Sequence, residues 1–376
     1  AVLVYKDVPY LGSFSCRDPL LNRIWDVGAY TVHLNMQEYI WDGIKRDRLV
    51  WVGDMHPETL TIRTVFGADA SVARSLEFIR KETPLPGWMN GMASYTMWYA
   101  IIVHDWFMYT GDLEWLRSQE EYLEGISRQL SECIDEKGKD TVTEGRFLDW
   151  PSSDRPGVVD AGVQAIHLLA ADSLRKLFRA LGKQGPAEEC ARDMERLACF
   201  PADADGSKQA AALLVLAGLR DAEEMNGSVL AEGGAEGMST FMGYYILTAR
   251  AMAGDYEGCL ACIRDYWGGM LELGATTFWE DFDVKWMEGA APIDRFPKEG
   301  ETYGDYSYKG YRHSLCHGWA SGVTPWLTEN VLGVRIMEPG CTKLEIKPHL
   351  GNLSWAKGTF PTPFGVVHIS HKKKKD

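Results

Sequence analysis

The chain has 376 residues, 45% of them hydrophobic, and a formal net charge of −14. A chain of this size can bury a large core, as one big domain or as two to three ordinary ones. The acidic balance argues against nucleic acid, whose phosphates reward a basic surface, and no stretch reaches the roughly 18–20 continuous apolar residues of a membrane span.

Residues 1–12 read as a short strand and an entry segment. The opening AVLVYKDVPY is too short and too charged for a signal peptide. The chain is then helical for most of its length. The first helix, within 18–39, opens on Asp18-Pro19, a cap residue followed by a residue suited to the first helical position. Residues 59–81 hold two short helices around Gly67. Residues 94–112 are apolar on nearly all sides, which predicts a buried helix stopped by Gly111, whereas 113–136 is amphipathic. Further helices are read at 160–182, 186–200, 208–220, 239–254, 255–274 and 314–333, most of them closed by Gly. More buried helices alternate with more polar ones, eleven or twelve in all, with no fixed short repeat. Helices paired in this way can close into a double ring whose loops form a funnel at one end. The long stretches 40–54, 83–92, 137–158 and 274–310 supply such loops, and long ordered loops are usually functional. From about 336 the texture alternates apolar and polar residues between Gly and Pro, which predicts three or so strands. The organisation is therefore 1–12 entry segment, 13–335 helical body and 336–376 β segment.

The chain holds 14 Trp, and many sit beside acids: Trp41-Asp42, Asp149-Trp150, Trp279-Glu280. Sugars are bound by flat apolar faces together with carboxylates that accept hydroxyl hydrogen bonds. Burial of Trp in a large helical core is the competing explanation. The eight cysteines lie in apolar patterns and read as buried thiols of a reducing compartment. Cys259 and Cys262 form a CxxC without a second pair, so no zinc or redox site is expected. No phosphate loop, dinucleotide fingerprint or HExxH is present, and no cofactor or metal is expected.

Three constellations carry chemistry. "WDGIKRDRLVWVGDMHPE" (41–58) crowds Asp42, Asp47 and Asp54 around Lys45, Arg46 and Arg48 between Trp41 and Trp51. Crowded carboxylates raise one another's pKa, and a raised carboxyl suits general-acid work. The alternative is a structural knot of salt bridges with Asp54 capping the next helix; Glu58, on the same helix face as Asp54, is a rival acid. "LGATTFWEDFD" (273–283) sets Glu280 and Asp281 among Phe278, Trp279 and Phe282. Two carboxylates from distant loops facing across a sugar are the minimum apparatus of glycoside hydrolysis. "RHSLCHGWASG" (312–322) places His313 and His317 four apart on one expected helix, with His317 as a ligand contact or a core histidine.

These residues together resemble the bacterial α-L-rhamnosidases of glycoside hydrolase family 78. "DGIKRDRLVWVGD" is similar to that family's D-C-P-Q-R-E-R-x-G-W-x-G-D, with Gly43-Ile44-Lys45 in place of Cys-Pro-Gln and Asp47 in place of Glu. "GATTFWE" and "SLCHGWASGVTPWL" look like its G-A-T-T-x-W-E and S-L-N-H-Y-A-x-G segments, and "WYAIIVHDWFMYTGD", "FLDW" and the segment from Lys343 also fit. The resemblance implies a mainly α fold, the (α/α)6 barrel of six-hairpin glycosidases, with a short C-terminal β-sheet segment. It implies an inverting hydrolase with Asp47 as general acid and Glu280 as the base. Asp42, Arg46 and Asp54 would hold the sugar, with Trp51, Trp98, Asp149, Trp150, Trp279 and His317 around the pocket.

The expected function is an inverting exo-glycosidase removing a terminal sugar, α-L-rhamnose first, from oligosaccharides or glycosides. The alternatives are another glycosidase or a uronide lyase on the same barrel, or a non-catalytic glycan-binding relative. The expected partner is a carbohydrate, with no nucleic acid and no membrane, in a bacterial cytoplasm or periplasm.

Overall fold

The structure, a computed structural model, describes residues 4–302 and 313–374. Twelve α-helices run along the described residues: α1 (Pro19–Asn35), α2 (Met55–Val65), α3 (Ala70–Glu82), α4 (Ala93–Thr110), α5 (Leu113–Ser131), α6 (Pro156–Ala180), α7 (Gln184–Ala198), α8 (Lys208–Leu216), α9 (Ala222–Met225), α10 (Gly243–Met252), α11 (Tyr256–Glu272) and α12 (Val323–Trp326). The even-numbered helices form a closed inner ring. Each packs on the next, from α2 through α4, α6, α8 and α10 to α12, and α12 returns to α2. The odd-numbered helices form the outer layer of this (α/α)6 barrel.

The sequence explains which helix goes where. Every residue of α4 from Ala93 to Val103 is buried, as is α8 from Lys208 to Val215, because an inner helix meets protein on all sides. Outer helix α5 instead buries a stripe, Leu116, Gln119, Leu123, Ile126 and Leu130, at spacings of three and four. The ends follow local chemistry. Asp18 accepts the Leu20 N–H at 2.9 Å with Pro19 in the first turn of α1. Gly111, at φ 67°, takes the left-handed conformation that ends α4.

Five strands complete the described fold. β1 (Ser13–Cys16) pairs antiparallel with β4 (Trp355–Thr362), which pairs with β5 (Gly365–Lys372), while β2 (Val334–Glu338) and β3 (Lys343–Ile346) form a separate hairpin. The sheet lies against the far end of α4, where the Tyr109 hydroxyl donates to Pro361 O at 3.0 Å.

Several expectations need correction. The first strand is at Ser13–Cys16, and residues 4–12 contain none. Four strands, not three, follow residue 333. Helix α6 starts at Pro156, because Pro suits a first turn whose N–H is unpaired anyway. The short α9, continued by a π-turn at Asn226–Leu230, was not foreseen; four residues are too few to show a period. Residues 314–333 are not one helix. They begin extended and become helical only at Gly318–Gly322, so His313 and His317 do not share a helix. Cys199 is exposed at the end of α7, whereas Cys16, Cys190, Cys259, Cys262, Cys316 and Cys341 are buried, and all eight thiols are free. The part of the 274–310 loop from residue 303 onward lies outside the described residues.

Candidate active site

The inner helices all begin at one end of the barrel, and the predicted site residues gather there. Asp54 precedes α2 and Tyr95 lies in the first turn of α4. Asp149 and Trp150 precede α6, Ser239 and Thr240 precede α10, and His317 precedes the turn into α12. Helix N-termini carry partial positive charge, so this end of the ring favours carboxylates.

The loop 41–54 is pinned from two sides. Gly43 bridges to His317, and Asp42 O accepts the Gly318 N–H at 2.8 Å. A side chain on Gly43 would meet Ser314 Oγ at 2.8 Å and Cys316 O at 2.9 Å, so the close approach requires glycine. From the 83–92 loop, the Asn90 amide accepts from Val52 N and donates to Val50 O, both at 3.0 Å. Between these anchors Asp47 and Arg48 are both left-handed, at φ 57° and 56°. That conformation costs about 1–2 kcal/mol for each non-glycine residue and concentrates at functional positions.

Glu280 comes from the opposite wall. Its N–H donates to Ser314 O at 2.8 Å, and its Oε2 accepts the Ser314 N–H at 3.1 Å. The indole of Trp319 and the hydroxyl of Thr240 both donate to its backbone carbonyl. Arg46 then joins the two walls: Nη1 donates to Asp47 Oδ2 at 2.9 Å and Nη2 to Glu280 Oε1. Burial alone would raise the Glu280 carboxyl, but the nearby His317 and Arg46 charges and the Ser314 N–H outweigh it and hold the carboxyl below its ordinary value.

Behind this pair lies a buried polar cluster. Asp54 does not cap α2 with its side chain. Its carboxylate instead accepts the Tyr95 hydroxyl at 2.6 Å and pairs with His317 Nε2 at 3.1 Å. Burial would lower the His317 pKa, yet the hydrogen bond that its ring donates to Asp54 and the charges of Asp54, Glu280 and Asp42 raise it. Asp42, 2% exposed, accepts the Leu49 N–H at 3.0 Å, and burial, reinforced by Asp54 and Asp47, pushes its carboxyl up to about 7. The rival acid Glu58 is fully buried beneath Gly318, and neither of its oxygens has a hydrogen-bond partner among the described residues. Burial raises its pKa well above the ordinary value, which keeps it neutral.

The remaining predicted residues divide by exposure. Trp98 is 1% exposed, stacked on His56, and Trp279 is 0% exposed, edge-on to Phe282. Both therefore support the wall from behind. Trp51 is half-buried, edge-on to Tyr95. Trp150 is 54% exposed and packs edge-on against Phe147. Asp149 is buried, accepting the Ser239 hydroxyl at 2.6 Å and the Ser152 N–H at 3.0 Å. Sequence reasoning missed Tyr95, Ser314, Trp319, Thr240 and Asn90. Only Asn90, polar between glycines in the 83–92 loop, carried a local signal; the others act through hydroxyls, indole or backbone that look like core or linker.

The arrangement sets an ionised carboxylate opposite a second carboxylate within the reach of one guanidinium.

Comparison with known proteins agrees with this fold. Residues 9–200 match the family described as bacterial alpha-L-rhamnosidase 6 hairpin glycosidase domain. An alpha-L-rhamnosidase of Alteromonas sp. (strain LOR) is 30% identical over 111 residues, 29% of this chain and 10% of that protein. The crystal structure of the glycoside hydrolase family 78 rhamnosidase of Bacillus sp. GL1 superposes with a TM-score of 0.83 at 24% identity, over 99% of this chain and 41% of that one. The α-L-rhamnosidase of Streptomyces avermitilis, solved with L-rhamnose, gives 0.78 at 18% identity, over 99% of this chain and 37% of that one. The chain thus spans less than half the length of each of these relatives.

Proposed function

The chain belongs to the bacterial α-L-rhamnosidase six-hairpin glycosidase family, and from that premise we propose that it is an inverting glycoside hydrolase domain that removes a terminal sugar, α-L-rhamnose, from oligosaccharides or glycosides. The observation that supports this most is the Arg46 bridge, which sets Asp47 and Glu280 on opposite walls of one site although the loops that bear them are far apart in sequence. An inverting hydrolase needs its two carboxyl groups roughly 6.5–9.5 Å apart, wide enough for water on one face of the sugar. Glu280, held ionised, takes the proton from that water. Asp47, released from Arg46 as the glycoside enters, takes up a proton from solvent in place of that ion pair and gives it to the leaving oxygen. Asp42, Asp54 and Arg46 bind hydroxyls, and the exposed Trp150 offers a flat face at the rim.

A second assignment of the acid draws on Asp42. Its carboxyl, pushed up to about 7, retains a proton near neutrality, as a general acid must.

One kinetic series tests both. Glu280→Gln should abolish hydrolysis of every rhamnoside. Loss of the acid should abolish hydrolysis of alkyl rhamnosides while sparing those with an activated aryl leaving group, which departs without protonation. If Asp47→Asn shows that split, Asp47 is the acid; if Asp42→Asn alone shows it, the role moves to Asp42. NMR of the first-formed product should show the β anomer. Turnover by Glu280→Gln at the parent rate, or an α product, would refute the proposal.

A further inference from the structure

The half-buried Trp51 indole makes no polar bond of its own. Its Nε1 has no hydrogen-bond partner among the described residues, and its ring meets Tyr95 edge-on at 6.1 Å between centroids. Its direction is therefore set by the chain on either side of it. Val52 N donates to the Asn90 amide oxygen, and the Asn90 amide nitrogen donates to Val50 O, both at 3.0 Å. These are the two backbone groups that flank Trp51, and in a sheet a neighbouring strand would take them up. A side-chain amide both accepts and donates, so Asn90 stands in for that strand. Two residues on, the same segment lies against the Tyr95 ring: a Cβ on Gly53 would be 2.3 Å from Tyr95 Cε1.

We propose that Asn90 is a positioning residue for the sugar-binding wall: its amide fixes the Val50–Val52 backbone and, through it, the direction of the Trp51 indole. The proposal rests on the hydrolase reading above, with Trp51 in the wall of the sugar pocket, and adds to it a residue whose side chain is engaged with backbone alone.

Asn90 can do this because it is itself held. Its backbone is left-handed, at φ 53° and ψ 21°, a conformation that Asn tolerates better than most residues with a side chain. It sits in a tight turn in which Gly91 N donates to Trp88 O and Met92 N to Met89 O, both at 2.9 Å. Met89 N donates to Thr96 Oγ1 at 2.9 Å, which ties the turn to inner helix α4. On another side the turn is backed by Gly145, where a Cβ would lie 2.4 Å from Gly91 O and 2.3 Å from Met92 Cα. The amide thus carries the rigid frame of the barrel into a loop without regular structure, as precise placement of a binding side chain requires. The effect continues along the loop. Leu49, next to Val50, donates its N–H to Asp42 Oδ1 at 3.0 Å and accepts the Asp42 N–H at 3.2 Å, so the clamped segment also borders a sugar-binding acid.

The test separates the amide from the turn. Asn90→Gly removes the amide and leaves the left-handed backbone unstrained, so its thermal midpoint should stay within about 5 °C of the parent. On an aryl rhamnoside its KM should rise about tenfold, with kcat lowered less than about threefold. Asn90→Asp still accepts from Val52 N but cannot donate to Val50 O, and its KM should lie between, about threefold above the parent. A double-mutant cycle decides the route: in a Trp51→Ala background, Asn90→Gly should raise KM less than about twofold, since the indole it directs is gone. An Asn90→Gly enzyme with the parent KM overturns the inference, whether or not its midpoint falls, and leaves Asn90 a structural brace. A KM that rises by the same factor with and without Trp51 also overturns it. A parent protein that turns over no rhamnoside defeats the hydrolase reading instead, and this inference with it.

Discussion

Arg46 and Glu280, 234 positions apart in the chain, are joined by a guanidinium–carboxylate bond, and the same guanidinium reaches Asp47 at 2.9 Å. The bridge makes Arg46 the joint between two walls of the site. A planar fork can serve two carboxylates at once, and an ammonium cannot reproduce that geometry.

Arg46→Ala should therefore lower kcat/KM by about 100-fold, through both lost alignment and a raised Glu280 pKa. Arg46→Lys should recover less than about a tenth of the loss, because it keeps the charge without the fork. Steady-state kinetics on an aryl rhamnoside decides it; an Arg46→Ala enzyme within twofold of the parent would remove Arg46 from the account.

Asp42 predicts a pH-dependent cost. Its pKa is raised in the folded protein from 3.8 to about 7. Its contribution to stability is complete below about pH 4 and is lost as pH rises toward 7, by a total of about 4 kcal/mol. Asn at this position does not ionise. The stability of Asp42→Asn relative to the parent should thus improve by that order between pH 4 and pH 8, read from urea denaturation at the two pH values. A difference independent of pH would show that Asp42 is not held protonated.

Gly318 is where α2 and the last inner segment touch. A Cβ there would lie 1.6 Å from Glu58 Oε1 and 2.6 Å from Glu58 Cγ, with no solvent side to which Glu58 could retreat. Gly318→Ala should cost about 1–3 kcal/mol. In a Glu58→Ala background the cost should shrink by about 1 kcal/mol or more, since the clash is pairwise. Strictly additive denaturation energies would argue that the contact is not tight.

The two kinds of tryptophan should separate cleanly. Trp98→Ala, at a fully buried position stacked on His56, should cost about 3–5 kcal/mol of stability. Trp150→Ala, at a position 54% exposed, should change stability by less than about 1 kcal/mol while raising KM about tenfold. A Trp150→Ala enzyme with an unchanged KM is not losing a sugar platform.

Much of the fold was legible because periodicity reports burial directly. The 94–112 segment, apolar on nearly all sides, reads as a buried inner helix, and the striped 113–136 segment as an outer one. The breaks in legibility have local causes. α9 is shorter than the period that would reveal it, and 314–322 reads as helix because its small and apolar residues fit either state until tertiary hydrogen bonds claim its backbone for Phe278, Glu280 and Asp42. Asp54 was open between a cap and a ligand-binding acid; a Tyr95 hydroxyl and a His317 ring, both distant in sequence, drew it away from the helix end.

By itself the sequence determined the alternation of buried and amphipathic helices, the ends set by Asp caps and Gly stops, and the presence of two acid-bearing aromatic loops, because each depends on neighbours within a few residues. Only the tertiary structure decided which acids meet. That Arg46 spans Asp47 and Glu280, that Glu58 is sealed under Gly318, and that His317 stands between Asp54 and the Trp319 face all follow from ring closure. The state of a carboxyl depends on the charges and the dielectric around it, and ring closure assembles both from segments that do not adjoin in sequence.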